Sequence, residues 1–115
     1  MPLIQITTSV QMNKRQVNAI ESDLCGLVGR VLGKPSEYIM VIVQQAFVEF
    51  GNAEDPAAAV DVRSIGGLGP DTNPPLARGI SDTLEKHADI PAGRIYIMFQ
   101  NVAADCWAWN GIPFG

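Results

Sequence analysis

Apolar positions in this chain fall into two kinds of run. Val17, Ile20, Leu24, Leu27, Val28 and Val31 recur at helical spacing and form one apolar stripe, which predicts a helix between Asn13 and Gly33. Asn13 with Gln16 three residues on is a start signal, and Gly33 followed by Pro35 is a stop. Leu76, Ile80 and Leu84 predict a second helix, with Asn73 as its expected cap and Pro74 at its first position. The other runs, YIMVIV and IYIMF, are short, rich in β-branched and aromatic residues, and apolar at both alternating sets of positions. Strands are accordingly expected near 2–9, 38–45, 58–65 and 94–101.

These elements are one unit written twice. Shifted by 56 residues, KPSEYIMVIVQ (34–44) falls on IPAGRIYIMFQ (90–100), so Pro35 meets Pro91, Ile39 meets Ile95, and Gln44 meets Gln100. The same shift puts Ile4 and Ile6 on Val60 and Val62, and Leu24 and Val28 on Ile80 and Leu84. The expected fold class is α/β in the α+β sense. Two βαβ units, about 2–50 and 58–105, with right-handed connections, build a four-stranded sheet with both helices on one face, and a C-terminal arm (106–115) follows. Two helices cover one sheet face only. The other face needs further copies of the chain, so oligomerisation follows from the pattern.

In the arm, Asn110-Gly111 is a turn signal, and Trp107, Trp109 and Phe114 flank it. Those aromatics either pack on a neighbouring subunit or line a pocket for a flat apolar ligand.

Composition narrows the function. At 115 residues the chain is one domain, and 47% hydrophobic with 17% charged residues describes a globular one. A net charge of −4 without a basic cluster argues against nucleic acid and against anionic membranes. No run is long enough to span a bilayer and no signal-peptide pattern opens the chain, so the expected location is cytoplasmic. Cys25 and Cys106 are far apart and His87 is the single histidine, so no metal set is expected, and both cysteines read as reduced core residues. The stretch SIGGLGP lacks the spacing of a dinucleotide or phosphate loop and reads as a turn.

MP before a strand, GKPSEYI (33–39), SIGGLG (64–69), RIYI (94–97) and WNGIPF (109–114) together resemble the macrophage migration inhibitory factor family of the tautomerase superfamily, over essentially the whole chain. The resemblance implies a homotrimer with sites at the subunit interfaces, no cofactor, and keto–enol tautomerisation of aromatic 2-oxo acids such as phenylpyruvate or of dopachrome-like compounds. By that resemblance Pro2 is the general base, Lys34 holds the substrate carboxylate and Ile65 lines the site. Tyr96 comes from an adjacent subunit, and Trp109 and Phe114 surround the pocket mouth. Two positions depart from the family pattern: Met98 stands where an asparagine is usual, and Trp107 where a small aliphatic residue is. A Cys-x-x-Cys found in some members is here Ala57-Ala58-Ala59-Val60, which leaves no basis for thiol exchange.

The chemistry asks for such a base. An ordinary α-amine titrates near ~8 and is mostly protonated at neutral pH, whereas burial and a neighbouring cation both disfavour its charged form. Lys34 is that cation, and burial beside Leu3 and the aromatic arm adds to its effect. While Met1 is attached, the Pro2 nitrogen is an amide with no usable lone pair, so a chain that keeps Met1 is expected to be nearly inactive. The resemblance also raises two alternatives. One is a cytokine-like protein, exported without a signal peptide and binding a receptor. The other is a dehalogenation or decarboxylation chemistry, for which Arg15 would be part of the added charge set.

Overall fold

The computed structural model describes residues 1–115. Its first helix, α1 (Lys14–Leu32), begins where its cap chemistry dictates: Asn13 Oδ1 accepts from the Gln16 N–H at 2.8 Å, and Gln16 Oε1 accepts from the Asn13 N–H at 3.0 Å. It ends at Gly33, whose φ of 64° is a left-handed conformation that glycine adopts without a Cβ penalty.

The start of α2 (Asn73–Ala88) differs from expectation. Asn73 is the first helical residue, not the cap, and its Oδ1 accepts from the Gly69 N–H to hold the preceding loop. Thr72 takes the cap position but also turns backward, accepting from Gly69 N and donating to Gly67 O at 2.6 Å. No side chain caps α2. Pro74 and Pro75 follow Asn73, so two of the amides that would need a cap carry no hydrogen.

Strands β1 (Pro2–Thr8), β2 (Met40–Gln45), β3 (Ala58–Ser64) and β4 (Ile95–Asn101) form one sheet in the order β2-β1-β3-β4. Each repeat supplies a parallel pair, and the repeats join through antiparallel β1 and β3. The 56-residue correspondence holds in the register: Leu3 faces Met40 as Ala59 faces Tyr96, and Gln5 faces its own counterpart Asp61. A local pseudo-two-fold therefore runs through the Gln5–Asp61 pair. Short 3-10 turns at Ser36–Tyr38 and Ala92–Arg94, each entered from a proline, also correspond, and they delay the outer strands slightly relative to expectation.

One face of the sheet packs on both helices. Ile4, Ile6, Val60 and Val62 meet Leu24, Val28, Ile80 and Leu84, all fully buried. Cys25 is half-buried at the rim of this core, but Cys106 is exposed, because it closes a 3-10 turn (Ala104–Cys106) in the surface arm rather than joining the core. The opposite face is open. Its outer strands expose Met40, Ile42, Tyr96 and Met98, while the central strands carry Gln5, Asp61 and Arg63, the last two ion-paired at 3.0 Å. The arm forms the expected hairpin, β5 (Ala108–Trp109) and β6 (Ile112–Pro113), across Asn110 and Gly111, whose φ values of 54° and 78° suit a tight hairpin turn. No helix is long and apolar enough to cross a membrane.

Candidate active site

The head of β1 is the chemically distinctive place in the fold. Pro2 is buried, its ring on the helix-packed side with Ile4 and Ile6. Because β2 runs parallel with Leu3 opposite Met40, the segment from Glu37 to Met40 lies beside Met1, Pro2 and Leu3. The arm closes a third side. Trp109 meets Tyr38 edge to face at 6.2 Å, and the Phe114 N–H donates to Trp107 O at 3.0 Å, fixing the hairpin against the segment before it.

Between these walls is a cavity of about 350 Å³. Residues 1–3 form one side, 37–40 the second and 107–109 the third, and eight of the ten lining residues are hydrophobic. Met1 lines this cavity, and the pKa of its α-ammonium is held below the ordinary amine value, first by burial and second by the positive charge of Lys34. Lys34 is half-buried and pairs with no carboxylate, so its charge is available to an anion in the cavity. No group of three His, Cys, Asp or Glu side chains converges where a metal ion could be held.

The expected site residues are thus partly assembled in one chain. Pro2, Trp107 and Trp109 line the cavity, and Lys34 acts on it through its charge. Ile65 follows Ser64, the residue opposite Pro2, and is half-buried just past the end of β3. Phe114 is on the arm, exposed, and outside the cavity lining. Tyr96 and Met98 are elsewhere: β3 separates their strand from β1, and they stand on the open face, 63% and 47% exposed. Within one chain they do not meet Pro2.

Sequence reasoning missed Glu37, Tyr38 and Met40 as lining residues. The signal was available, since a parallel neighbour in this register must bring residues near 38 against residues near 2, but it required the pairing to be known.

The fold is an α+β repeat scaffold whose candidate site sets an amine of lowered basicity near an unpaired cation, among aromatic side chains. The sequence matches the model of the family described as Macrophage migration inhibitory factor (MIF) over residues 1–115, and the chain belongs to that family. It is 34% identical over 115 residues to macrophage migration inhibitory factor of Xenopus tropicalis, covering 99% of each chain. It is 36% identical over 117 residues to the homolog of Brugia malayi, covering all of both. Among solved structures, macrophage migration inhibitory factor of Toxoplasma gondii superposes with a TM-score of 0.95 at 34% identity, covering 97% of this chain and 99% of that one.

Proposed function

We propose that the protein is a keto–enol tautomerase of aromatic 2-oxo acids, phenylpyruvate-like or dopachrome-like, that works as a homotrimer with Pro2 as general base once Met1 is removed. The observation that carries this reading is the electrostatic setting of the chain's amine, whose charged form is disfavoured by burial and by Lys34. Removal of Met1 turns the Pro2 amide into a secondary amine within the same walls. Its lone pair takes a proton from the carbon next to the carbonyl, the C–H electrons become the C=C bond of the enol, the C=O π pair moves onto the carbonyl oxygen, and that oxygen takes a proton from water. In the reverse direction the prolinium returns its proton to carbon.

Lys34 supplies a charge-assisted contact for the substrate carboxylate, and Trp107 and Trp109 offer faces for the ring. Ile65 and Phe114 bound the mouth. The open sheet face, with Tyr96 and Met98 exposed on it, fits the reading: a homotrimer would cover that face and would bring these two residues of one copy toward the cavity of the next.

The test follows phenylpyruvate enolisation by the processed protein and by Pro2→Gly. A drop of about 10²-fold or more in the variant is expected for loss of a positioned base. Turnover by Pro2→Gly at the wild-type rate, with folding and processing intact, would end the reading, as would full activity in protein whose intact mass still includes Met1.

A further inference from the structure

Arg94 is the most heavily hydrogen-bonded side chain of the molecule, and neither the fold nor the proposed reaction has yet used it. Its guanidinium donates from Nε to Pro56 O (3.1 Å), from Nη1 to Phe50 O (3.0 Å), and from Nη2 to Ala53 O (3.2 Å) and Asp55 O (3.1 Å). No carboxylate pairs with it. Four carbonyl dipoles from one loop take that place, so the fork geometry of arginine ties the loop to the start of β4.

The same loop closes on itself, with Phe50 and Ala53 exchanging backbone hydrogen bonds across Gly51 and Asn52. Phe50 is thereby fixed at its backbone. Its ring is fixed as well: the Arg94 Cζ lies 5.2 Å from the ring centroid, and the Tyr96 ring lies 4.6 Å away at a tilt of 47°. Arginine, phenylalanine and tyrosine make one contiguous cluster. Its inner end is anchored in backbone carbonyls, and its outer end is a tyrosine that the fold leaves 63% exposed.

The local pseudo-two-fold gives this cluster meaning. Pro2 at the head of β1 corresponds to Ala58 at the head of β3, and Tyr38 corresponds to Arg94. The first repeat keeps an open cavity at its strand head. In the second, the equivalent region is filled by the Arg94 fork and the 50–56 loop, and the aromatic beside it points outward.

We propose that Arg94 is a positioning residue: acting through Phe50, it holds the Tyr96 ring in place on the open face as a wall for the aromatic-substrate cavity of a neighbouring copy. The proposal rests on the reading above in one respect, that Tyr96 completes another subunit's site. It assigns Arg94 and Phe50 a part in ligand affinity, although neither touches the ligand.

The experiment measures the Kd of phenylpyruvate by tryptophan fluorescence on the assembled, processed protein, with sedimentation and thermal melting recorded for each variant. Phe50→Leu keeps every carbonyl that Arg94 uses and removes only the stacking ring. It is expected to raise Kd about 2- to 10-fold, the worth of one aromatic contact, with assembly unchanged. Tyr96→Ala is expected to raise Kd at least as much, and adding Phe50→Leu to it should change Kd no further. Arg94→Lys, which retains charge but loses the fork, should behave as Phe50→Leu does.

Wild-type affinity in Phe50→Leu would overturn the proposal. So would a Phe50→Leu penalty that persists undiminished in the Tyr96→Ala background, since it would not run through Tyr96, and so would failure of the wild type to bind phenylpyruvate. Failure of the base assignment reads differently: Pro2→Gly would turn over normally while these Kd effects remain.

Discussion

Ser64 stands directly opposite Pro2 across β1 and β3, and its Oγ is a buried side-chain oxygen without a hydrogen-bond partner. The Ser64 carbonyl is occupied on the far side, accepting from Val102 N at 2.8 Å, which makes Pro2 and Ser64 a pair whose side chains approach closely. Both side chains point into the helix-packed layer. Burying an unsatisfied hydroxyl costs more than burying a methyl. Ser64→Ala is therefore expected to stabilise the protein by roughly 1 kcal/mol, read by urea unfolding at fixed protein concentration. A loss of stability would show that the hydroxyl has a partner in the assembled protein.

Lys34 offers a separate test through pH. The Met1 amine has a folded pKa below its unfolded value, so the proton is bound more weakly in the native state. The resulting stability is fully present above about pH 8, the ordinary amine value, and is lost as pH falls through the lower folded pKa. If Met1 is removed as proposed, the same two causes are expected to act on the Pro2 amine, and the acid limb of the rate profile should then be centred below that of a free prolyl amine. Lys34→Gln is expected to move this limb to higher pH and raise KM for phenylpyruvate. The move should be partial, because burial is the larger cause and remains. An unmoved limb would show that Lys34 does not act on the base.

The Leu27 side chain of α1 packs close to Gly79 of α2. A Cβ on Gly79 would come within 2.6 Å and 2.7 Å of the two Leu27 δ-carbons and 3.2 Å of its γ-carbon. Overpacking of this kind costs ~1–3 kcal/mol, against a helix-propensity gain of about 1 kcal/mol for alanine over glycine. Gly79→Ala is therefore expected to be net destabilising by about 1 kcal/mol in the wild type. In a Leu27→Ala background the clash is gone, and the same change should stabilise by about 1 kcal/mol. Chemical denaturation of the four proteins in this cycle checks the reversal of sign.

The repeat itself predicts matched energetics. Leu24 and Ile80 correspond across it, are both fully buried, and belong to one core. Leu24→Ala and Ile80→Ala should each cost ~2–5 kcal/mol. A large asymmetry between them in urea unfolding would mean that the two halves collapse differently around a cavity.

Most of the architecture was legible because it is periodic. The 56-residue repeat, the two apolar stripes and the Asn110-Gly111 turn each have a local physical cause, and the corresponding elements formed. The Asn73 cap did not, because a short polar side chain can turn back to a loop amide as easily as forward to a helix amide, and Gly69 offered one. Cys106 was read by residue type, whereas its exposure depends on the path of the arm. Of the site, Pro2, Trp107 and Trp109 are together in one chain, but Glu37, Tyr38 and Met40 became visible only with the β1–β2 register. Tyr96 and Met98 cannot be joined to the cavity by any feature of a single chain. Both stand on the open sheet face, two strands away from the head of β1.

A main-chain α-amine is a property of a chain end, and a chain that writes one unit twice has only one amino end. Ala58 occupies in the second repeat the place that Pro2 holds in the first, 4% exposed at the head of its strand, but its nitrogen is committed to a peptide bond. Covalent continuity has thus made two similar halves chemically unequal. The half without a terminus is free to fill its cavity with the Arg94 fork. A circular permutant opened just ahead of residue 58 would reverse the inequality, releasing an amine where the folded chain now holds a loop.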